Sequence, residues 1–470
     1  MPTRILRNPR YRTPLLVPDI LHLVFLYLVP SHHATTFSEA PWDLIASSMV
    51  CRSWYEEASP FLYNRIQLDL FRTLVYDNRF DVAEMKRYIN LLVEFRHNGF
   101  DPPGLIEQVK IDVRCMSRSR VESMTESLET FFKLRPRNLT DLEIDITYLA
   151  TARASPLDHL NNLFNRLQPI WPPIRRFSFN GGGSHPAHHT HIDTLLTILS
   201  PTLESLTLTN YAITHATQDA LRRCSRIRDV NMIRIHDPEN GLATVLPSWS
   251  NLREFCYMHG RSPCFDRTIH ALAASCTLLN SFTLVNGGAV HYTAVTVGAV
   301  DSLLSSCTEL KRLRLVRISW VHDGTLVETL LAHGRKLEHI DFIECQCLTR
   351  ITNLNSYVHR GWPELRTLSL SGCHNLAETF VVWVICECPN LEQIEVPDHL
   401  ALAVERWIKL NGFQYVRRNT WKRQREESVP KYVGSSGEDK PALSTTIGTP
   451  KRTRRRAGIR ALKEFFTFLK

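Results

Sequence analysis

The sequence lacks the marks of catalysis. No glycine-rich phosphate loop, nucleophile elbow or zinc-protease helix occurs in it, and its carboxylates are scattered instead of paired as acid–base chemistry needs. It also lacks a long apolar run. The most apolar N-terminal stretch, Ile20 to Val29, is about half of the ~20 residues that cross a bilayer. Arg4, Arg7, Arg10 and Arg12 precede it and imitate a secretory signal. Pro18, Asp19 and His22 interrupt that pattern, however, and no small-residue cleavage site follows promptly. Net charge is missing from most of the chain. Residues before Trp421 carry 43 Lys+Arg against 42 Asp+Glu, whereas Trp421 to Lys470 carry 13 against 5. A neutral body argues against a fold that tracks a nucleic-acid backbone. The 470 residues, 43% apolar and 22% charged, are ordinary for a globular protein and suffice for one large core or about three smaller ones.

What is present is a repeat. An apolar residue, two others, an apolar residue, one other and an apolar residue recur as "LTDLEI" from Leu139, "IRRFSF" from Ile174, "LESLTL" from Leu203, "IRDVNM" from Ile227 and "LREFCY" from Leu252. The series continues as "LNSFTL" from Leu279, "LKRLRL" from Leu310, "LEHIDF" from Leu337, "LRTLSL" from Leu365 and "LEQIEV" from Leu391. Successive starts lie 35, 29, 24, 25, 27, 31, 27, 28 and 26 residues apart, and two less regular copies precede them, "YNRIQL" from Tyr63 and "IEQVKI" from Ile106. Alternation over the last three template positions predicts a half-buried strand. Helical patterns fill the intervals. In "DGTLVETLLAHGRKL" Asp323 can cap the start, Leu326, Val327, Leu330 and Leu331 share a face, and Gly334 can take a left-handed terminating turn. "FVVWVICECPNL" repeats the plan with Phe380, Val381, Val384 and Ile385. One strand and one helix bury too little alone, so copies must stack into a parallel sheet with helices on one face. The period is that of leucine-rich repeats. The expected fold is therefore α/β: a curved leucine-rich-repeat solenoid over residues 61–420, strands on the concave face and helices on the convex face, with a C-terminal cap. A closing helix and a final strand are expected in "DHLALAVERWIKLNGFQYVRR".

The repeat phase accounts for half of the 12 cysteines. Cys224, Cys276, Cys307 and Cys388 each stand three residues before a template start, and Cys345 and Cys373 eight after one. These positions suit a small, buried, weakly polar side chain at a tight corner. The close pairs Cys345/Cys347 and Cys386/Cys388 lack the spacing and second pair of a zinc knuckle. His185, His188, His189 and His191 follow "NGGGS" with no acidic or thiol partner nearby and read as a solvated loop. No metal or cofactor is expected. Free thiols point to a reducing, intracellular setting, where the sequon Asn138-Leu-Thr140 would be inert.

Residues 14–60 follow a different pattern. Pro18 suits a helix start, and Ile20, Leu21, Val24, Phe25 and Leu28 recur at helical spacing. A second apolar group comprises Leu44, Ile45, Met49, Val50, Trp54 and Ala58. Helices this short need a partner to bury them. The order Leu16, Pro18, Ile20-Leu21, Val24-Phe25, Leu28, then Leu44, Ser48, Val50-Cys51-Arg52 and Trp54 resembles an F-box. With "SPFLYNRIQL" leading into the repeats, the chain from 14 to 420 is similar to the F-box/leucine-rich-repeat family, although the connection Val29 to Asp43 is longer than usual. That resemblance implies a non-enzymatic substrate receptor of a Skp–cullin–F-box ubiquitin ligase. Leu16, Pro18, Ile20, Leu21, Val24, Phe25, Leu28, Leu44, Val50, Cys51 and Trp54 would dock on the Skp adaptor, with cullin as scaffold, and the repeats would hold a protein substrate. The alternatives are a helical cap on a repeat scaffold without ligase role, and a nuclear nucleic-acid-associated protein acting through the tail.

Strand alternation places two residues of each repeat on the sheet face opposite the helices. There Arg312 and Arg314 form a basic spot beside His339 and Asp341, suited to an acidic or phosphorylated protein segment. Residues 1–13 and 421–470 read as tails, the latter rich in Ser, Gly, Pro, Lys and Glu and expected to be largely disordered. "KRTRRR", with Lys451, Arg452, Arg454, Arg455 and Arg456, is a nuclear-import candidate, so the expected location is nuclear or cytoplasmic. "GIRALKEFFTFLK" can form a short helix with Ile459, Leu462, Phe466 and Leu469 on one side.

Overall fold

Strands form wherever the template occurs. In the computed structural model all twelve copies yield a strand that starts two residues after the template's first apolar residue. The structure describes residues 65–69, 106–112, 118–146, 156–181, 192–259, 265–286, 295–318, 325–345 and 361–423, with isolated helical residues at 24, 54, 56–58, 86, 89–90, 92–93 and 96. The chain divides into two compact units, Met1–Pro263 and Cys264–Lys470.

In the first unit β1 (Arg65–Asp69), β2 (Gln108–Asp112), β3 (Asp141–Asp145), β4 (Arg176–Asn180), β5 (Ser205–Thr209), β6 (Asp229–Ile233) and β7 (Glu254–Met258) pair in parallel in chain order, without register shift. The connections carry α1 (Arg118–Lys133), α2 (Pro156–Leu167), α3 (Asp193–Leu199), α4 (His215–Arg222) and α5 (Gly241–Val245), each packed on the next. Thr214 caps α4 in a reciprocal capping box with Thr217. The buried Asp237 carboxylate accepts the Gly241 and Leu242 N–H groups at 2.6 and 3.1 Å, satisfying two donors that a helix start leaves open.

In the second unit α6 (Phe265–Ser275), β8 (Ser281–Val285), α7 (Val297–Ser306), β9 (Arg312–Val316), α8 (Thr325–His333), β10 (His339–Ile343), β11 (Thr367–Ser369), α9 (Glu378–Glu387) and β12 (Gln393–Glu395) continue the plan. Strands β8 to β12 are parallel and in chain order. The unit closes with α10 (Ala401–Leu410) and two strands, β13 (Phe413–Arg417) and β14 (Thr420–Arg423), instead of the single strand expected. They form an antiparallel hairpin, and it is β14 that pairs with β12. A two-residue turn through Arg418 and Asn419, both left-handed, lets the chain return at once, which a parallel crossover cannot do.

The template's first residue has its own role. Leu203, Ile227, Leu252, Leu279, Leu337 and Leu391 are fully buried, just ahead of their strands. The next residue's carbonyl ties neighbouring repeats together. Glu204 O accepts the N–H groups of Arg228 and Asp229, and Lys311 O those of Glu338 and His339. The sequence repeat is therefore also a hydrogen-bond repeat, which is why insertions fall in the connections and leave the strands in register.

Two local expectations are corrected. Gly334 ends α8, but not through a left-handed turn, which among the described glycines occurs at Gly372 and Gly412. Glycine stands at 334 for space: a Cβ there would lie 2.6 Å from both Leu330 O and Leu337 Cδ1. The second correction concerns α9. Its residues 380 to 385 are all buried, because the closing helix α10 packs on it in addition to the sheet. Leu326, Val327, Leu330 and Leu331 of α8 are buried as the spacing predicts.

Candidate functional site

On every five-residue strand from β3 to β10 the second and fourth residues are buried, under the helices, while the first and third are on the opposite face. Parallel register sets these open-face residues in rows across the strands. The open face is the one surface that every repeat contributes to in the same way.

In the first unit the rows satisfy themselves. Arg176 on β4 pairs with Asp141 on β3, with Nη2 2.7 Å from Oδ2, and Thr140 Oγ1 also donates to that carboxylate at 2.7 Å. The bond to Asp141 raises the Arg176 pKa. Lys110 and Glu143 meet at 3.0 Å across β2 and β3, and Asn210 donates to Asn180 at 3.0 Å. Toward β7 the face turns acidic: Asp229 stands beside Glu254, and its pKa is raised first by burial and then by that neighbouring charge.

In the second unit one row runs Ser281, Arg312, His339, Thr367, Gln393 and Lys422, and the next Thr283, Arg314, Asp341, Ser369, Glu395 and Thr420. The four residues expected to form a basic spot are therefore lateral neighbours on β9 and β10. His339 Nδ1 lies 2.7 Å from Thr367 Oγ1, and Ser369 donates to Glu395 at 2.7 Å. Burial lowers the His339 pKa, and the Arg312 charge adds to the effect. Burial raises the Asp341 pKa against the opposing pull of Arg314. Arg312 and Arg314 are exposed and carry no hydrogen bond or ion pair to another described residue. Neighbouring cations behave otherwise. Lys311 and Arg366 share Glu338 at 2.9 and 3.7 Å, Arg317 grips Glu344 at 2.7 and 3.2 Å, and Lys336 pairs with Glu309.

The cysteines lie inside the corners. Cys345 Sγ donates to Leu315 O and Cys373 Sγ to Phe342 O, both at 3.2 Å, so each stitches its corner to the preceding strand. Cys307 Sγ contacts Cys276 O at 3.4 Å. Burial pushes the thiols of Cys224, Cys276, Cys373 and Cys388 up to about 12, and those of Cys307 and Cys386 up to about 11. Groups so hard to ionise make poor nucleophiles and poor metal ligands. Among the described residues no three of His, Cys, Asp or Glu converge as a metal site, and no helix is long and apolar enough to cross a membrane.

Of the residues expected to meet an adaptor, Val24 is helical and exposed, and Trp54 is helical and half-buried. Leu16, Pro18, Ile20, Leu21, Phe25, Leu28, Leu44, Val50 and Cys51 lie outside the described residues, as do the four-histidine segment and the basic residues from Lys451 to Arg456. Two features escape the sequence pattern. Lys422 joins the Arg312 row through the antiparallel hairpin, outside any template. A buried polar network joins Asp193 to Thr217 at 2.7 Å, and Thr217 in turn lies 3.0 Å from Tyr211. Only the helix-final tyrosine-bearing corner and the capping threonine, far apart in template phase, would have signalled it.

No model of a known protein family matches the chain, and no curated protein matches its sequence. Similar solved structures exist. The crystal structure of the Rad7 and Elc1 complex in yeast is 14% identical with a TM-score of 0.41, over 77% of this chain and 93% of that one. LegL7, a leucine-rich-repeat-containing protein from Legionella pneumophila, is 12% identical with a TM-score of 0.33, over 75% of this chain and 99% of that one. Likenesses of this degree carry no argument about activity.

Proposed function

We propose that the chain is a non-catalytic substrate-recognition subunit of a Skp–cullin–F-box ubiquitin ligase. The helical segment 14–60 docks on the Skp adaptor, and the open sheet face of the repeats holds a protein substrate. The chemistry of ubiquitin transfer then belongs to the partners, and this chain supplies proximity. The observation that carries the substrate half is the open sheet face of the second unit, where two exposed guanidiniums lack protein partners. A self-contained scaffold has no use for unpaired charges in the middle of a sheet, whereas a binding face does. The adaptor half rests on the F-box-like residue order ending in "VCRSW". The proposed location is nuclear or cytoplasmic, with Lys451 to Arg456 as the import signal.

Co-purification of the full chain with Skp adaptor and cullin tests the reading. Replacing Leu16 and Pro18 together by alanine should abolish capture. If neither partner is captured, the chain is a repeat scaffold with another role. If salt-sensitive nucleic-acid binding is found and is lost on deleting residues 424–470, the basic tail carries a separate function.

A further inference from the structure

We infer that Arg312 and Arg314, flanked by Ser281 and Thr283 on β8, bind a phosphorylated serine or threonine on an extended protein segment. This rests on the reading of the open sheet face as a substrate surface, but not on the adaptor.

The argument starts from spacing. Alternate residues of one strand share a face and stand ~6.7 Å apart, and neighbouring strands ~4.8 Å apart. Arg312 and Arg314 are alternate residues of β9, in register with Ser281 and Thr283 on one side and with His339 and Asp341 on the other. Two planar forks and two hydroxyls are thus set within one side chain's reach of a common point over β8 and β9. A guanidinium matches a phosphate through paired N–H donors, and two of them exceed what a single carboxylate can accept.

Charge favours the same occupant. The two arginines bring two full positive charges with no salt bridge to another described residue. A phosphomonoester carries about −1.5 to −2 at neutral pH and balances them, whereas one carboxylate leaves half unbalanced. His339 adds no charge at neutral pH, since burial and Arg312 both hold its pKa down and its ring is engaged with Thr367. Asp341, beside Arg314, is the nearest acidic neighbour in the row and sets the limit of the cationic patch on the β10 side. The flank over β8 is uncharged, so the anion sits there. Extended substrate lying across the strands would place its neighbouring residues over Thr367, Ser369 and Glu395, which are half-buried and hydrogen-bonded among themselves.

The test uses the purified full chain and immobilised peptide libraries with degenerate flanks around a fixed central residue: phosphoserine or phosphothreonine, glutamate, or unmodified serine. The phosphorylated libraries should be retained at least about tenfold better than the other two, as charge-assisted bonds to a dianion require. The double variant Arg312→Ala with Arg314→Ala should lose that margin at unchanged circular dichroism. The double lysine variant should keep part of it, because charge remains and the fork is lost. Equal retention of the glutamate library would assign the face to acidic segments and overturn the proposal, as would undiminished retention by the alanine double variant or competition by single-stranded RNA. The Leu16 and Pro18 double variant should bind the phosphorylated libraries normally. Phosphopeptide binding without adaptor capture would sink the ligase reading and leave this one standing, and the converse result would do the opposite.

Discussion

Whether the cysteines are corner packing or reactive groups can be decided by their alkylation kinetics. Cys373 is fully buried and its thiol is pushed from an ordinary 9.0 to about 12 by burial. Only the thiolate reacts with iodoacetamide. A rise of that size cuts the thiolate fraction at pH 8 by about 10³-fold. Exclusion of the reagent from a closed corner slows the reaction further, so 10³ is roughly the least protection expected. The same value applies to Cys224, Cys276 and Cys388, and Cys307 and Cys386 should be protected at least about 10²-fold. Pulse labelling followed by peptide mass spectrometry gives a rate for each site, with the chain in concentrated urea as the reference for each cysteine. Replacing Cys373 by alanine removes the bond to Phe342 O and opens a small void, for a loss of about 1–2 kcal/mol. The reasoning fails if Cys373 or Cys388 in the native chain reacts within about tenfold of its rate in urea, or if stoichiometric zinc protects them further.

Three other outcomes are expected. Trp362 is buried, donates from Nε1 to Leu330 O at 3.1 Å and meets the Trp383 ring edge-on. At ~200 Å² of buried surface and ~25 cal/mol per Å², Trp362→Ala should cost about 4–5 kcal/mol in urea denaturation followed by circular dichroism. Trp362→Phe should cost only about 1–2, because Leu330 O keeps its bond from Gly334 N; equal losses would contradict this. Asp341 titrates above its ordinary value because of burial, so the folded chain holds its proton more tightly than the unfolded chain does. Stability from this group is present at acid pH and is lost as pH rises through the folded pKa. Asp341→Asn should therefore be more stable than the parent at pH 7 and equal to it in acid, and a gap that widens on acidification would refute the assignment. Gly372 has φ of +70°, and a Cβ there would stand 2.8 Å from Glu344 Cγ. Gly372→Ala should cost about 1–2 kcal/mol, against nearly nothing for an exposed surface change.

The left-handed corner repeats beyond Gly372. Asn210, Arg234, His259, Arg317 and Glu344 each have positive φ and each follow the last residue of a strand. Asn210, Arg234, Arg317 and Glu344 send their N–H to the carbonyl that ends the next repeat's ladder. Charged residues tolerate this turn because a repeated hydrogen bond holds it and, at Arg317 and Glu344, a mutual ion pair as well. No glycine signal announces these corners, so sequence reading passes over them.

The sequence by itself determined the strands, their order and the face each residue takes. Period-two alternation locked to a repeat of about 27 residues leaves a parallel stack as the way to bury both strand and helix. It also placed Arg312, Arg314, His339 and Asp341 together, because equal phase in adjacent repeats means lateral contact in a parallel sheet. Only the tertiary structure decided which of those charges are paired: that depends on side-chain reach between repeats, and Arg176 finds Asp141 while Arg312 and Arg314 find no described partner. It also decided the closing hairpin, where the repeat has ended and periodicity no longer constrains the pairing. The reversal there follows instead from two left-handed turn residues and the free edge of β12.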